Sequence, residues 1–357
     1  MSLAYDVIPV TIVTGFLGSG KSTLLADVLK GDAARDTAVL VNEFGEVGLD
    51  HLLIGEVDAQ TVLLDNGCVC CAIRGELKEA LATLFSRRAR GEVPPFSRVV
   101  LETTGLATPA PIVATLLGDR VVSSHYSIGA IVTVVDAVNA DQQRARHPEW
   151  LAQVTAADRI VVSKADLAGD AALAVLEQTL SQLNPAASVT RRTCADDASV
   201  VLDPAANEHD FGDFVRRTSM LARESRQADN PLAGLNATPA HRQGLAALEA
   251  FCIEFDEPLD WPVFTLWLTL LLNRHGDNIL RVKGILALAG ADQPVVLHAV
   301  HHLVHPVLHL DAWPGAGKEE APRSRLVIIA QGLTRDAVAA SYRRLCRHLQ
   351  TAEALID

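Results

Sequence analysis

Eight residues near the start of the chain have the types and spacing of a phosphate-binding loop. Residues 15–22 read Gly-Phe-Leu-Gly-Ser-Gly-Lys-Ser, which fits the pattern G-x-x-x-x-G-K-[ST] at every fixed position. In this pattern the glycines let backbone N–H groups close around phosphate oxygens, the lysine supplies positive charge, and the hydroxyl binds Mg²⁺. The residues predicted to hold a nucleotide in this way are Gly15, Gly18, Ser19, Gly20, Lys21, Ser22 and Thr23.

The flanking sequence places this loop between a strand and a helix. The apolar run Val10–Thr14 predicts a buried strand, and the residues after the loop put Leu24, Leu25, Val28 and Leu29 on one helical face. Strand, loop and helix therefore follow one another in the order that phosphate binding requires. A flexible turn ahead of a helix is the alternative.

An acidic residue at the end of another apolar run is a second candidate. Glu102 begins the segment Glu-Thr-Thr-Gly and follows Val99-Val100-Leu101. In phosphate-loop enzymes an acid at such a strand end holds the magnesium shell or orients the attacking water. We therefore predict that Lys21, Ser22 and Glu102 are catalytic. An acidic strand end without a role is the alternative.

The segment Ser163-Lys164-Ala165-Asp166 is similar in spacing to the base-reading motif of GTPases. In that motif the lysine stem packs over the purine, and the aspartate accepts hydrogen bonds from the N1–H and exocyclic amine of guanine. Because an unpaired buried carboxylate is costly, Asp166 would discriminate against ATP. Ser163 stands where the motif usually has asparagine, and a plain junction between strand and loop is the alternative.

Three cysteines within four positions form a reactive cluster. Cys68, Cys70 and Cys71 can fold around one soft ion, leaving a fourth place for water, a carboxylate such as Glu46, or a partner's ligand. A helix predicted over residues 73–85 would favour the thiolate form. An incomplete shell suits metal transfer better than permanent structural zinc. A redox pair and small buried packing residues are the alternatives.

Composition narrows the classes of function. The formal net charge of −12 argues against nucleic acid or an anionic membrane surface as the main partner, because either would repel the chain. The N-terminus lacks a basic segment followed by an apolar core, and the longest apolar stretch, Val263–Leu272, is too short to span a bilayer. The six cysteines, three of them clustered, favour a metal or redox site in a reducing compartment. We therefore expect a cytoplasmic protein.

The chain is long enough for two domains, with 357 residues of which 49% are hydrophobic. Its first part alternates short β-branched runs with helical patterns, which predicts an α/β fold with a mainly parallel sheet. Ligands bind at the carboxyl ends of such strands, so the polar segments that follow them are expected to converge. Further along, strands with two helices predict a smaller α+β domain. The predicted divisions are residues 1–202, a linker at 203–245, and residues 246–357.

Five segments together resemble the CobW-type family of metal-handling P-loop GTPases. They are GFLGSGKST at 15–23, NEFGEVG at 42–48, NGCVCC at 66–71, ETTG at 102–105 and SKAD at 163–166. Residues 251–348 are similar to the family's C-terminal domain, so the resemblance covers most of the chain. Two departures are Ser163 in place of asparagine and a linker without the histidine-rich tract of many relatives.

The resemblance implies a P-loop NTPase domain that hydrolyses GTP with Mg²⁺ and couples hydrolysis to delivery of zinc or cobalt to a client metalloprotein or a metallocofactor enzyme. Residues 42–48 and the cysteines lie between the phosphate loop and Glu102, where P-loop GTPases carry nucleotide-sensing switches. GTP would gather the thiolates, and hydrolysis would release the metal. A P-loop ATPase or phosphotransferase and a nucleotide-independent metal buffer stay open, as does self-association into a homo-oligomer.

Histidine is concentrated in one segment near the C-terminus, at His298, His301, His302, His305 and His309. A helix would align these side chains, but the surrounding valines favour a strand and Pro306 would interrupt a helix. Histidines four apart on one strand are about 13 Å from one another, too far to share an ion. We therefore predict a solvated or sheet-face role, with auxiliary metal capture or client contact as the alternative.

Overall fold

The structure of the protein is a computed structural model that describes residues 7–28, 36–41, 61–63, 72–192, 212–218, 248–314 and 323–353. The chain divides into two units. Unit 1 comprises residues 1–181 and 187–207, and unit 2 comprises residues 182–186 and 208–357.

Within the described residues, unit 1 is built on a seven-stranded sheet with the order β3-β2-β4-β1-β5-β6-β7. Every neighbouring pair in it is parallel, which confirms the predicted parallel α/β fold. The strands are β1 (Ile8–Thr14), β2 (Thr37–Val41), β3 (Thr61–Leu63), β4 (Arg98–Glu102), β5 (Tyr126–Asp136), β6 (Arg159–Ser163) and β7 (Ser188–Arg191).

Helices connect these strands. They are α1 (Lys21–Val28), α2 (Ala72–Ala89), α3 (Pro109–Gly118), α4 (Arg120–Ser123), α5 (Ala140–Arg146), α6 (Pro148–Ala156) and α7 (Asp170–Leu183), with a short 3₁₀ turn at Ala165–Leu167. Leu24, Leu25 and Val28 of α1 pack in one buried cluster with valines of the sheet. The apolar face predicted for this helix is therefore the face that contacts the sheet.

The strands that carry the predicted site end at the same edge of the sheet. Val13 of β1 pairs with Glu102, the last residue of β4. Asp136 at the end of β5 pairs with Ser163 at the end of β6. Because parallel strands point the same way, the residues that follow them meet at one edge, as predicted.

The described part of unit 2 contains a six-stranded sheet whose main path is β11-β10-β9-β13-β8, with β12 also paired to β10. All of these pairs are antiparallel. The elements are α8 (212–218), β8 (Leu248–Phe255), α9 (Trp261–His275), β9 (Ile279–Leu286), β10 (Val295–Val300), β11 (Leu303–Val304), β12 (Leu308–His309), β13 (Ser324–Gln331) and α10 (Arg335–Glu353). The predicted strands and two long helices are confirmed.

One face of this sheet forms a core with α9 and α10. Phe264 and Trp267 of α9 pack with Val338 and Tyr342 of α10 and with alternate residues of the strands. The indole N–H of Trp267 donates to the Ser341 hydroxyl over 2.8 Å, which satisfies its polar atom inside this core. None of the helices in the described ranges combines the length and apolar character needed to cross a bilayer.

The histidine-rich segment forms strands, as the valines predicted, but it turns back on itself. His301 adopts a φ of 52° in the turn between β10 and β11. The turn brings His305 opposite His298, and their ring centroids lie 5.9 Å apart. Spacing along a single strand could not predict this pair, because the contact is made across a hairpin.

Candidate functional site

The phosphate loop adopts a conformation that depends on its glycines. Gly15, Gly18 and Gly20 have φ values of 144°, 70° and 90°, in the region that side chains rarely adopt. A Cβ at Gly15 would lie 2.3 Å from the Val134 carbonyl oxygen. The loop therefore turns against β5 only because residue 15 has no side chain.

Lys21 extends back over this loop. Its Nζ donates to the carbonyl oxygens of Gly15, over 2.9 Å, and Phe16, over 3.1 Å. The side chain is buried, and it begins α1 immediately after the glycines. The positive charge is thus held where the backbone turns, in the position from which a lysine can bind terminal phosphates.

Ser22 and Glu102 meet although they are eighty residues apart. The Ser22 hydroxyl donates to Oε1 of Glu102 over 2.8 Å. Glu102 is buried at the end of β4, next to β1 and its loop. Hydroxyl and carboxylate oxygens are ligands that Mg²⁺ accepts, and Mg²⁺ binds through one or two such groups plus substrate phosphates. The donor set therefore fits a magnesium ion.

The turn after Glu102 is pressed against the phosphate loop. The Thr103 N–H donates to the Val13 carbonyl over 2.9 Å, and the Thr103 hydroxyl lies 2.9 Å from that of Thr14. A Cβ at Gly105 would lie 2.5 Å from the backbone nitrogen of Leu17. Glycine is needed here for close backbone approach, which explains the last residue of the Glu-Thr-Thr-Gly segment.

Ser163 links the predicted base-reading segment to the phosphate loop. Its hydroxyl lies 2.6 Å from the Ser19 carbonyl oxygen and 3.2 Å from that of Val135. Lys164 follows with a φ of 55°, and Asp166 is exposed in the 3₁₀ turn. The segment therefore lies at the same edge of the sheet as the phosphate loop.

Asp136 holds the lysine of this segment. Its carboxylate is 1% exposed and accepts from the Lys164 amine over 2.7 Å. It also accepts from the Asn139 side chain over 2.8 Å and from the Val138 N–H over 2.8 Å. Burial alone would raise the pKa of Asp136, but the hydrogen bonds from Lys164, Asn139 and Val138 outweigh it and lower the pKa below its usual range.

The predicted metal ligands Cys68, Cys70, Cys71 and Glu46 lie outside the described residues. Along the chain, β3 ends at Leu63 before the cysteines, and α2 begins at Ala72 directly after them. Over the described ranges, no group of three histidines, cysteines or acids is arranged to hold a metal ion.

Two contributors to this site were not assigned a role by sequence reasoning. Asp136 was identifiable as a polar residue at the end of a strand, but nothing in the sequence paired it with Lys164. Gln153 on α6 carries no motif, yet its side chain donates to the carbonyls of Gly105 and Ala107. Only the folded chain reveals these contacts, because they join residues far apart in sequence.

Comparison with known proteins identifies the family. Residues 9–191 match the model of the CobW/HypB/UreG nucleotide-binding domain, and this match spans more than half of the chain. The chain belongs to the CobW/HypB/UreG family. Residues 248–345 match the C-terminal domain model of the cobalamin synthesis protein cobW, as expected for a two-domain CobW protein.

Relatives of this CobW-family chain carry zinc-related names. Zinc chaperone YjiA of Escherichia coli (strain K12) is 31% identical over 335 residues, which cover 94% of this chain and 98% of the relative. Zinc-regulated GTPase metalloprotein activator 1 of Schizosaccharomyces pombe is 35% identical over 304 residues, covering 78% and 72%. The crystal structure of Zn(II)-bound YjiA GTPase from E. coli has a TM-score of 0.63 at 26% identity, covering 95% of this chain and 99% of that chain.

Proposed function

We propose that this chain is a GTP-hydrolysing metallochaperone that binds Zn²⁺ or Co²⁺ and delivers it in a nucleotide-dependent way. The observation that carries the proposal is the 2.8 Å contact between the Ser22 hydroxyl and the Glu102 carboxylate, beside the lysine of a phosphate loop. The names of two relatives, zinc chaperone and zinc-regulated GTPase metalloprotein activator, support the metal-delivery part of the proposal.

The phosphate site has the parts that phosphoryl transfer to water requires. We assign Lys21 to the terminal phosphates, with the N–H groups of residues 15–23 around them. Ser22 and Glu102 would hold Mg²⁺, which neutralises charge on the phosphates when bound. Glu102 would also orient the attacking water, because its carboxylate lies at the edge where the phosphates would lie.

We assign guanine recognition to the segment that contains Ser163, Lys164 and Asp166, in which Ser163 would hold the segment against the phosphate loop and the other two residues would contact the base. The Lys164 stem would pack over the purine while Asp136 fixes its amine. Asp166 would accept the two donors that guanine presents and adenine lacks. The hydrogen bond from Ser163 to the Ser19 carbonyl supports this assignment, because it connects the base-reading segment to the phosphate loop although Ser163 stands in place of asparagine.

We assign the metal to Cys68, Cys70 and Cys71, with Glu46 as fourth ligand. The α2 N-terminus begins one residue after Cys71, and its dipole favours thiolates, the form that binds metal. The names of the relatives favour zinc over cobalt. The ion is cargo that passes to a client metalloprotein or metallocofactor enzyme, in the cytoplasm.

The test is a Co²⁺ titration of the full chain with a GTP analogue, GDP and ATP, read by the thiolate-to-metal absorption. We expect tighter binding with the GTP analogue than with GDP or ATP. Cys70→Ala should weaken binding strongly, whereas Cys346→Ala, at a half-buried cysteine outside the cluster, should not. Equal affinity in all nucleotide states would indicate a metal buffer.

Hydrolysis has its own test. Glu102→Gln removes the negative charge but keeps the size, so we expect kcat for GTP to fall by about 10²- to 10⁴-fold while the protein stays folded. Glu79→Gln, at an exposed position on α2, is the control and should leave kcat unchanged. If wild-type protein hydrolyses ATP as well as GTP, the chain is a general P-loop ATPase instead.

The division into residues 1–202, a linker at 203–245 and residues 246–357 remains part of this proposal, as does assembly into a homo-oligomer. Light scattering of the full chain with and without GTP analogue measures the oligomeric state directly.

A further inference from the structure

A buried glutamine of α6 reaches into the turn that follows the proposed catalytic acid. Gln153 is 0% exposed, and its Nε2 donates to the carbonyl oxygens of Gly105, over 3.1 Å, and Ala107, over 2.9 Å. Both donors of the amide are thereby used. One side chain thus fastens both ends of the segment 105–107.

This segment is the part of the turn that lies on the phosphate loop. Gly105 approaches Leu17 so closely that a Cβ would lie 2.5 Å from the backbone nitrogen. The Ala107 N–H also bonds back to the Thr104 carbonyl over 3.0 Å, which closes a turn between β4 and α3. Movement of this turn would therefore shift the backbone beside the phosphates.

The helix that carries Gln153 is itself fixed at two further points. The carbonyl of Gln153 accepts from the Thr133 hydroxyl of β5 over 2.8 Å. His147, the N-cap of α6, packs against Phe16 of the phosphate loop, with ring centroids 4.5 Å apart and the rings tilted by 37°. The glutamine is thus presented from a helix that contacts the sheet, the phosphate loop and the turn.

We propose that Gln153 is a positioning residue that holds the Gly105 turn against the phosphate loop and so orients Glu102 for GTP hydrolysis. The inference rests on the proposed function. Gln153 does not touch the reacting atoms. A buried amide that loses its acceptors destabilises the fold. The turn therefore cannot move away from the phosphate loop unless α6 moves with it or the two hydrogen bonds break.

The first test replaces the amide by an apolar group of similar size. In Gln153→Met we expect kcat for GTP to fall about tenfold or more, because small misplacements of a catalytic group are costly, while KM stays within about threefold. Amide hydrogen exchange without nucleotide should become faster in residues 104–108. Gln143→Met is the matched control, because Gln143 is also buried, on α5, but does not hydrogen-bond to this turn.

The second test gives a readout that a packing role would not produce. In Gln153→Glu the protonated carboxyl keeps one donor for the turn, whereas the carboxylate has none and repels both carbonyls. Burial raises the pKa of such a group. We therefore expect kcat of this variant to fall, relative to wild type, as the pH rises between about 5.5 and about 8.5.

Three results would overturn the inference: kcat of Gln153→Met within about twofold of wild type, the same loss in Gln143→Met, or an unchanged pH profile in Gln153→Glu. If Gln153→Met does not fold, the pH profile decides. If wild-type protein fails to hydrolyse GTP, the proposed function is wrong, and the nucleotide-free hydrogen exchange still decides whether Gln153 holds the turn.

Discussion

The hydroxyl of Ser163 lies 2.6 Å from the Ser19 carbonyl oxygen, so a residue at the end of β6 holds the phosphate loop directly. Its neighbour Lys164 is in turn held by Asp136. Base-reading and phosphate-binding segments are therefore joined by single side-chain contacts. Each of these contacts can be removed without changing the groups that would touch the nucleotide.

Ser163→Ala should weaken nucleotide binding without changing base preference. The variant leaves the Ser19 carbonyl without its 2.6 Å donor, and a lost hydrogen bond of this kind costs about 0.5–1.5 kcal/mol. We expect the Kd for both GTP and ATP to rise by about three- to tenfold, measured by calorimetry. Ser124→Ala, which removes an exposed hydroxyl at the end of α4, should change neither. A loss confined to GTP would mean that Ser163 contacts the base.

Asp136→Asn should destabilise the protein in a pH-dependent way. The folded-state pKa of Asp136 lies below its unfolded value of about 3.9, so its stabilisation is present above that pH and is lost as the pH falls through the folded pKa. At neutral pH the variant should be about 1–3 kcal/mol less stable, because the Lys164 amine loses its partner. Urea unfolding from pH 7 downwards measures the difference, which should shrink below about pH 4. Asp141→Asn, at an 86% exposed carboxylate, is the control and should show no such trend.

At the scale of elements, the site is made where a strand end, a turn and a helix meet. β4 delivers Glu102, the turn carries Gly105 onto the phosphate loop, and α6 supplies the amide that fastens the turn. α1 then begins directly at the loop with Lys21. Because these elements contact one another directly, a small displacement of the turn should change how the phosphate loop binds the phosphates.

Gly105→Ala tests this contact between elements. The new Cβ would lie 2.5 Å from the Leu17 nitrogen, which is backbone and cannot rotate away, so turn and loop must separate. We expect the Kd for GTP analogue to rise at least about tenfold, with kcat also reduced. Gly118→Ala is the matched control, since a Cβ at the end of α3 meets no atom within 4 Å. Unchanged affinity in Gly105→Ala would show that the turn and loop are not held together in solution.

Sequence patterns predicted the elements well because each has a strong local signal. β-branched runs predicted the parallel strands, and the glycine pattern predicted the phosphate loop between β1 and α1. The pairing of His298 with His305, the contact of Lys164 with Asp136 and the reach of Gln153 could not be predicted. They depend on a hairpin, on strand order and on helix packing, which leave no periodicity in one sequence.

At the scale of the molecule, nucleotide and metal are predicted to share unit 1. The predicted cysteine ligands fall between β3 and α2 in sequence, while Glu102 ends β4. β2 lies between β3 and β4 in the sheet, so the strands that flank both predicted sites belong to one continuous structure. We therefore expect that ligand binding at one predicted site changes the affinity of the other through the backbone that the two sites share.

Thermodynamic linkage makes this coupling reciprocal, and the reciprocity is the sharpest test of the full chain. If GTP analogue tightens Zn²⁺ binding by some factor, Zn²⁺ must tighten GTP-analogue binding by the same factor, and a tenfold effect corresponds to about 1.4 kcal/mol. Calorimetry of each ligand in the presence and absence of the other measures both factors. We expect the two factors to agree and to exceed unity. In Cys70→Ala both factors should fall to unity, because the altered metal site should bind metal equally with and without GTP analogue. Gly118→Ala should keep the wild-type factors. Two factors of unity in wild-type protein would mean that GTP analogue and metal bind independently, so the GTP-bound state would have no raised metal affinity for hydrolysis to remove.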